Sequence, residues 1–255
     1  MKKNIIFIAI GVVSLSILAF FSLKRERSSD QEHYPVLIIG TNAEYAPFTF
    51  IKDGNIVGFD IDVITEVAKR LAKQLVIKDL SFDVLIPDLQ LGNLQVVAAG
   101  LTPTEERKKR VLFSKTYYQG DSLVICVKKE SNIHSFEDLK GKIVAVNEGY
   151  YSDTYISQFP EISVTRLGSA FVSEGILALN AGRADAFVSP QFALKKALDG
   201  DENYRLIAVE NQSEGVALAI SKKHEVLLPI INNILSLMKE DGTIDNFIEK
   251  WELNK

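Results

Sequence analysis

Residues 36–72 read VLIIGTNAEYAPFTFIKDGNIVGFDIDVITEVAKRLA, and the periodicities in this stretch decide the fold. Residues 36–40 form a short, continuous, β-rich apolar run, which predicts a buried strand. Two further apolar runs, 48–51 and 56–59, flank Lys52-Asp53-Gly54-Asn55, and Asp-Gly in that setting predicts a hairpin. Asp60 is then expected to cap a helix, because Ile61, Ile64, Val67, Ala68, Leu71 and Ala72 recur at helical spacing. Working outward, 76–78 reads as the next strand, 83–91 as a helix opened by Asp83, and 95–99 as a strand. That alternation predicts a parallel α/β sheet. The second half repeats the style, with strands at 143–146, 164–166, 186–188 and 216–220 and helices at 152–159, 171–181 and 191–198. A helix from about 225 to 239 and a short amphipathic helix ending at Trp251 close the chain.

Composition excludes several classes. The 255 residues are 47% hydrophobic and 24% charged, ordinary for a core-forming protein, and the length admits one large domain or two lobes. The formal net charge is −4, and residues 31–255 alone carry 24 basic and 31 acidic residues, a net of −7. A mildly acidic body gives no reason to invoke nucleic acid. The single cysteine, Cys126, sits inside an apolar run and reads as a buried small hydrophobe. No Cys/His cluster has metal-ligand spacing, so neither metal nor cofactor is expected.

The sharpest compositional break is at the N-terminus. Lys2-Lys3 precede residues 4–23, which carry no charge, and a polar linker follows at 24–30. The pattern reads as an export signal or an uncleaved membrane anchor, and both place the remainder outside the cytoplasm. The run is long for a cleaved signal and lacks a small-x-small site, so the two readings stay open.

The motifs along residues 36–255 resemble those of the polar amino-acid-binding proteins of ABC importers, the periplasmic binding proteins of type II topology. The segments that carry the resemblance are Thr41-Asn42-Ala43-Glu44-Tyr45-Ala46-Pro47-Phe48, Val57-Gly58-Phe59-Asp60-Ile61-Asp62 and Ser81-Phe82-Asp83-Val84-Leu85-Ile86-Pro87. They continue with Ala99-Gly100-Leu101-Thr102-Pro103-Thr104-Glu105-Glu106-Arg107, Phe113-Ser114, Tyr117-Tyr118, Leu139-Lys140-Gly141-Lys142 and Asp241-Gly242-Thr243. The resemblance implies two α/β lobes joined by two hinge strands, lobe one spanning 36–121 plus 216–255 and lobe two 122–215. It implies a monomeric, non-enzymatic carrier that delivers an arginine- or glutamine-like amino acid to an inner-membrane permease with its ATPase.

On that reading Arg107 grips the ligand's carboxylate, for which a planar, permanently charged guanidinium is suited. Its rival role is a solvated member of Arg107-Lys108-Lys109-Arg110, and the other three are read as surface charge. Gly100 is expected to add a bare backbone N–H and Thr102 a hydroxyl, while Tyr45 and Phe82 offer aromatic faces. For Phe82 a core position is a serious alternative. In the second lobe the resemblance implies an anion site at Gly149, Tyr150 and Tyr151, although Tyr150 stands where the family has a small threonine. The family's acid for the α-ammonium, about eight residues past Gly182, is missing from Val188-Ser189-Pro190-Gln191. Ser189 and Asn42 are left as neutral acceptors, with Glu44 or Glu148 as candidates for the absent charge. Alternative functions are a cyclohexadienyl-dehydratase-type enzyme on the same fold, which would need a cleft acid, or a sensor domain. No Ser/His/Asp or Cys/His set emerges, and His33, His134 and His224 read as solvated.

Overall fold

The computed structural model describes residues 35–168, 172–210 and 215–254. The export segment expected at 1–30 lies outside the described residues, and among those described no helix is long and apolar enough to cross a membrane. Residues 36–255 form one compact unit containing two five-stranded sheets.

The first sheet is built on β1 (Val36–Thr41), whose inward side chains Leu37 and Ile39 are fully buried. β1 pairs in parallel with β5 (Gln74–Asp79) on one side and β6 (Val96–Val97) on the other. Between them come the short β2 (Glu44–Tyr45) and the hairpin of β3 (Thr49–Lys52) and β4 (Asn55–Val57). The hairpin turn holds Asp53 at φ 51° and Gly54 at φ 75°, the double left-handed turn that Asp-Gly favours. α1 (Phe59–Arg70) starts at Gly58, not at Asp60 as expected. Asp60 is instead the second helical residue, fully buried, with its carboxylate accepting the Gly100 N–H. The apolar stripe Phe59, Val63, Ile64 and Val67 faces the sheet as the helical spacing required.

After α2 (Phe82–Leu91), β6 leads to α3 (Glu105–Arg110) and β7 (Leu112–Phe113). The chain then leaves for the second sheet, ordered β10 (Ser163–Leu167), β9 (Ile143–Asn147), β11 (Ala186–Pro190), β8 (Leu123–Lys128), β12 (Tyr204–Ala208). α4 (Tyr151–Ile156), α5 (Val172–Asn180) and α6 (Gln191–Leu198) connect and cover it. Cys126 is wholly buried on β8, and burial pushes its thiol up to about 12. Returning, the chain passes its outgoing path where Tyr118 and Val216 pair antiparallel. It adds β13 (Ala219–Ile220) to the first sheet, and α7 (Leu227–Glu240) and α8 (Thr243–Lys250) finish that half. Ile231, Ile234, Leu235 and Met238 of α7 join the core under α1.

Both sheets are mixed, which corrects the expectation of parallel sheets. β13 runs antiparallel to β6 and β7, and β8 runs antiparallel to β11 and β12. The crossing segments cause this. A strand that enters a sheet directly from the other half needs no crossover helix, so nothing obliges it to lie parallel.

Candidate functional site

Two cavities are lined by residues of both halves: an outer cleft of about 780 Å³ and an inner one of about 30 Å³. Phe82, Arg107 and Tyr150 line both, so these three side chains form the partition between them.

Arg107 owes its position to α3. Thr104 caps that helix, its hydroxyl accepting the Arg107 N–H at 3.3 Å. The guanidinium donates to the Thr102 carbonyl at 2.9 Å and, across to the other half, to the Gly149 carbonyl at 2.8 Å. It also lies over the Phe82 ring, 5.4 Å from the centroid. Arg107 is 8% exposed, whereas Lys108, Lys109 and Arg110 are on the surface. Burial lowers its pKa to about 10, partly offset by Glu106 and Tyr150, so it stays cationic at neutral pH.

Aromatic side chains surround this cation. Phe82 opens α2 and meets Tyr150 edge to face, with centroids 4.3 Å apart. Tyr45 stacks on Phe48 at 4.8 Å and reaches Asp121 Oδ2 with its hydroxyl at 3.3 Å. Tyr45, Gly100, Thr102 and Tyr151 line the inner cavity; Glu44 and Gly149 line the outer cleft.

Several expected donors are otherwise engaged. The Gly100 N–H goes to Asp60, so that residue's place follows from its missing side chain: a Cβ there would lie 2.6 Å from the Tyr45 ring. Gly100 also sits at φ 60°, where side chains are strained. The anion site expected before α4 is altered likewise. The Gly149 N–H donates to Asp153 Oδ2 at 3.1 Å and the Tyr150 N–H to the Asn147 carbonyl at 3.2 Å. Asp153 already brings negative charge to that helix start. Neither Asn42 nor Ser189 is among the residues lining the two cavities. The Asn42 amide donates to the Leu80 carbonyl, and Ser189 is buried within β11 opposite Val124.

Sequence reasoning missed Asp121. It stands just before β8, lines the inner cavity beside Pro190, and is the second charged residue there after Arg107. The only sequence signal was a lone acid directly ahead of the apolar run 123–127. Glu44 and Glu148, the acids considered instead, line the outer cleft only.

The outer cleft carries five carboxyl groups, from Glu44, Asp83, Glu106, Glu148 and Asp153, against Arg107, Arg110 and Arg166. One of the three arginines, Arg166, is paired within the cleft to Asp153 at 3.0 Å. The balance favours a cationic group from solution.

The family profile of bacterial extracellular solute-binding proteins, family 3, matches residues 37–254. A probable histidine-binding protein of Campylobacter jejuni is 30% identical over 259 residues, covering 99% of this chain and all of that one. An arginine-binding extracellular protein of Bacillus subtilis is 29% identical over 255 residues, covering 98% of each. Among solved structures, an ancestral arginine-binding protein bound to arginine superposes with a TM-score of 0.76 at 37% identity, covering 85% of this chain and 97% of that one.

Proposed function

The chain belongs to the bacterial extracellular solute-binding proteins of family 3, carriers and not enzymes, and from that premise we propose that it captures a basic polar amino acid, arginine above others. The observation that carries the choice is the charge arrangement of the cavities. A buried guanidinium, Arg107, stands at the partition, and an excess of carboxylates lines the cleft outside it. A zwitterion with a cationic side chain matches both. Its carboxylate meets Arg107 while its side chain lies between Phe82 and Tyr150 and ends among Glu44, Glu106 and Glu148.

The carrier works as a monomer with lobes at 36–121 plus 216–255 and at 122–215, closing on the ligand. It delivers the ligand to a permease coupled to an ATPase, and residues 1–30 export it or hold it at the membrane. Calorimetry of the purified protein against arginine, histidine, glutamine, glutamate and leucine tests the ligand class. Arginine is expected to bind tightest. Tighter binding of glutamate or leucine, or no binding across the panel, would overturn the reading.

A further inference from the structure

The geometry points to Asp121 as the anionic pole of the ligand site, the residue that receives the α-ammonium of the amino acid. This assignment rests on the amino-acid reading above and deepens it. The inner cavity has two charged residues in its wall, Arg107 and Asp121, of opposite sign. The head group of an amino acid has that same pair of charges, and each must regain in the protein what it loses on leaving water.

The position of Asp121 follows from strand register. Pro190 of β11 pairs with Leu123 of β8, and the Gln191 N–H donates to the Ser122 carbonyl. One step further, the Phe192 N–H donates to Asp121 Oδ2 at 2.8 Å. Asp121 thereby shares the cavity wall with Pro190, which has no N–H to offer. The Tyr45 hydroxyl approaches the same oxygen at 3.3 Å, and its ring is wedged over Gly100 and Phe48.

Among the described residues no ion pair reaches Asp121. Burial pushes its carboxyl up to about 7, only partly offset by the N–H of Phe192, the Tyr45 hydroxyl, the N–H of Gln191 and Lys195. A buried carboxylate whose hydrogen-bond partners are all neutral donors is stabilised by a cation delivered into the cavity. Glu44 and Glu148 are on the outer side of the Phe82–Tyr150 contact, placed for a side chain and not for the head group.

The same bonds would also let Asp121 serve only to hold α6 and Tyr45 in place, so the test must separate charge recognition from support. Calorimetry at mildly alkaline pH compares arginine with its deaminated analogue, in which hydrogen replaces the α-amino group, on wild type and Asp121→Asn. Asparagine keeps an oxygen for Phe192 and removes the charge. Wild type is expected to favour arginine over the analogue by roughly tenfold or more, and Asp121→Asn to compress that ratio to about threefold or less. Arginine affinity accounts for the change, with the analogue binding both proteins alike. Should Asp121→Asn fail to fold, Asp121→Ser carries the same expectation, while Tyr45→Phe, which keeps the acid, is expected to keep the ratio. An unchanged ratio in a folded variant that still binds arginine overturns the assignment alone. Absence of amino-acid binding by wild type overturns the underlying reading and the assignment with it.

Discussion

At the scale of single residues, two buried charges set the behaviour of this protein. Arg107 holds its place through backbone carbonyls of both halves. Its removal leaves the Thr102 carbonyl with the Thr104 N–H and the Gly149 carbonyl on an exposed residue, while taking away the cation proposed for the ligand carboxylate. Arg107→Ala is expected to weaken arginine binding by about 2–5 kcal/mol, with the fold retained, as read by calorimetry and circular dichroism. Asp60 contributes to the pH dependence of stability instead. Burial raises its carboxyl to about 7, offset in part by the Gly100 N–H and by Tyr117, whose hydroxyl lies beside it without closing a well-formed bond. Between the ordinary value of 3.8 and about 7, the folded state keeps a proton that the unfolded state has released. The contribution to stability is therefore full below 3.8, falls as pH rises through the window, and is gone above about 7. Glu66, Glu105, Glu137, Asp138 and Asp241 are shifted downward and act oppositely, at pH values below the ordinary 4.5 of a glutamate. Asp121 shares the upper window, so the comparison must isolate Asp60. Urea unfolding of Asp60→Asn against wild type is expected to show a stability difference in favour of the variant that grows from about pH 4.5 to 7 and then levels. A difference independent of pH would refute this account of Asp60.

At the scale of elements, α3 matters out of proportion to its six residues. Too short to hold itself, it depends on its cap and on packing. Thr104→Ala removes the hydroxyl that accepts the Arg107 N–H, and is expected to cost about 1 kcal/mol in chemical denaturation. Because the capped residue is the cation proposed to meet the ligand carboxylate, arginine affinity should fall as well, by severalfold. Loss of stability with affinity untouched would show that α3 does not position Arg107. The start of α1 shows where local reading misled. Asp60 looked like a cap because an acid before an apolar periodic run is the usual signal. Its carboxylate turned instead to Gly100, forty residues away, and Gly58 opens the helix.

At the scale of the whole molecule, the halves meet through the Arg107–Gly149 bond and the Phe82–Tyr150 contact. An inner cavity of about 30 Å³ has the room of one water molecule, so an amino-acid head group enters only as that aromatic contact parts. The chain passes between the sheets beside the Tyr118–Val216 pair, the place where the proposed closing motion would turn while each core stays intact. An edge-to-face aromatic pair contributes about 0.5–1.5 kcal/mol beyond its buried area. Tyr150→Ala is therefore expected to speed arginine release by roughly two- to tenfold, with association little changed. Stopped-flow dissociation reads this directly, and an unchanged off-rate would remove Tyr150 from the closing contact.

The sequence by itself determined the α/β class, the Asp53-Gly54 hairpin, the apolar stripe of α1 and the family, because each rests on local periodicity or on motif order. The family resemblance carried by its motifs also singled out Arg107 from three neighbouring cations, and the fold buries that residue. Tertiary structure alone decided the rest. The mixed sheets follow from strands that enter from the other half, a fact no local pattern records. Which backbone N–H groups remain open at the site depends on carboxylates distant in sequence, Asp60 for Gly100, or folded back from within the next helix, Asp153 for Gly149. Asp121, the acid proposed to replace the one sought past Gly182, lies on the neighbouring strand path, because antiparallel register brings residues about seventy positions apart together. Local sequence encodes periodicity and conformational preference, whereas the partner of a buried charge is set by what the closed chain places opposite it.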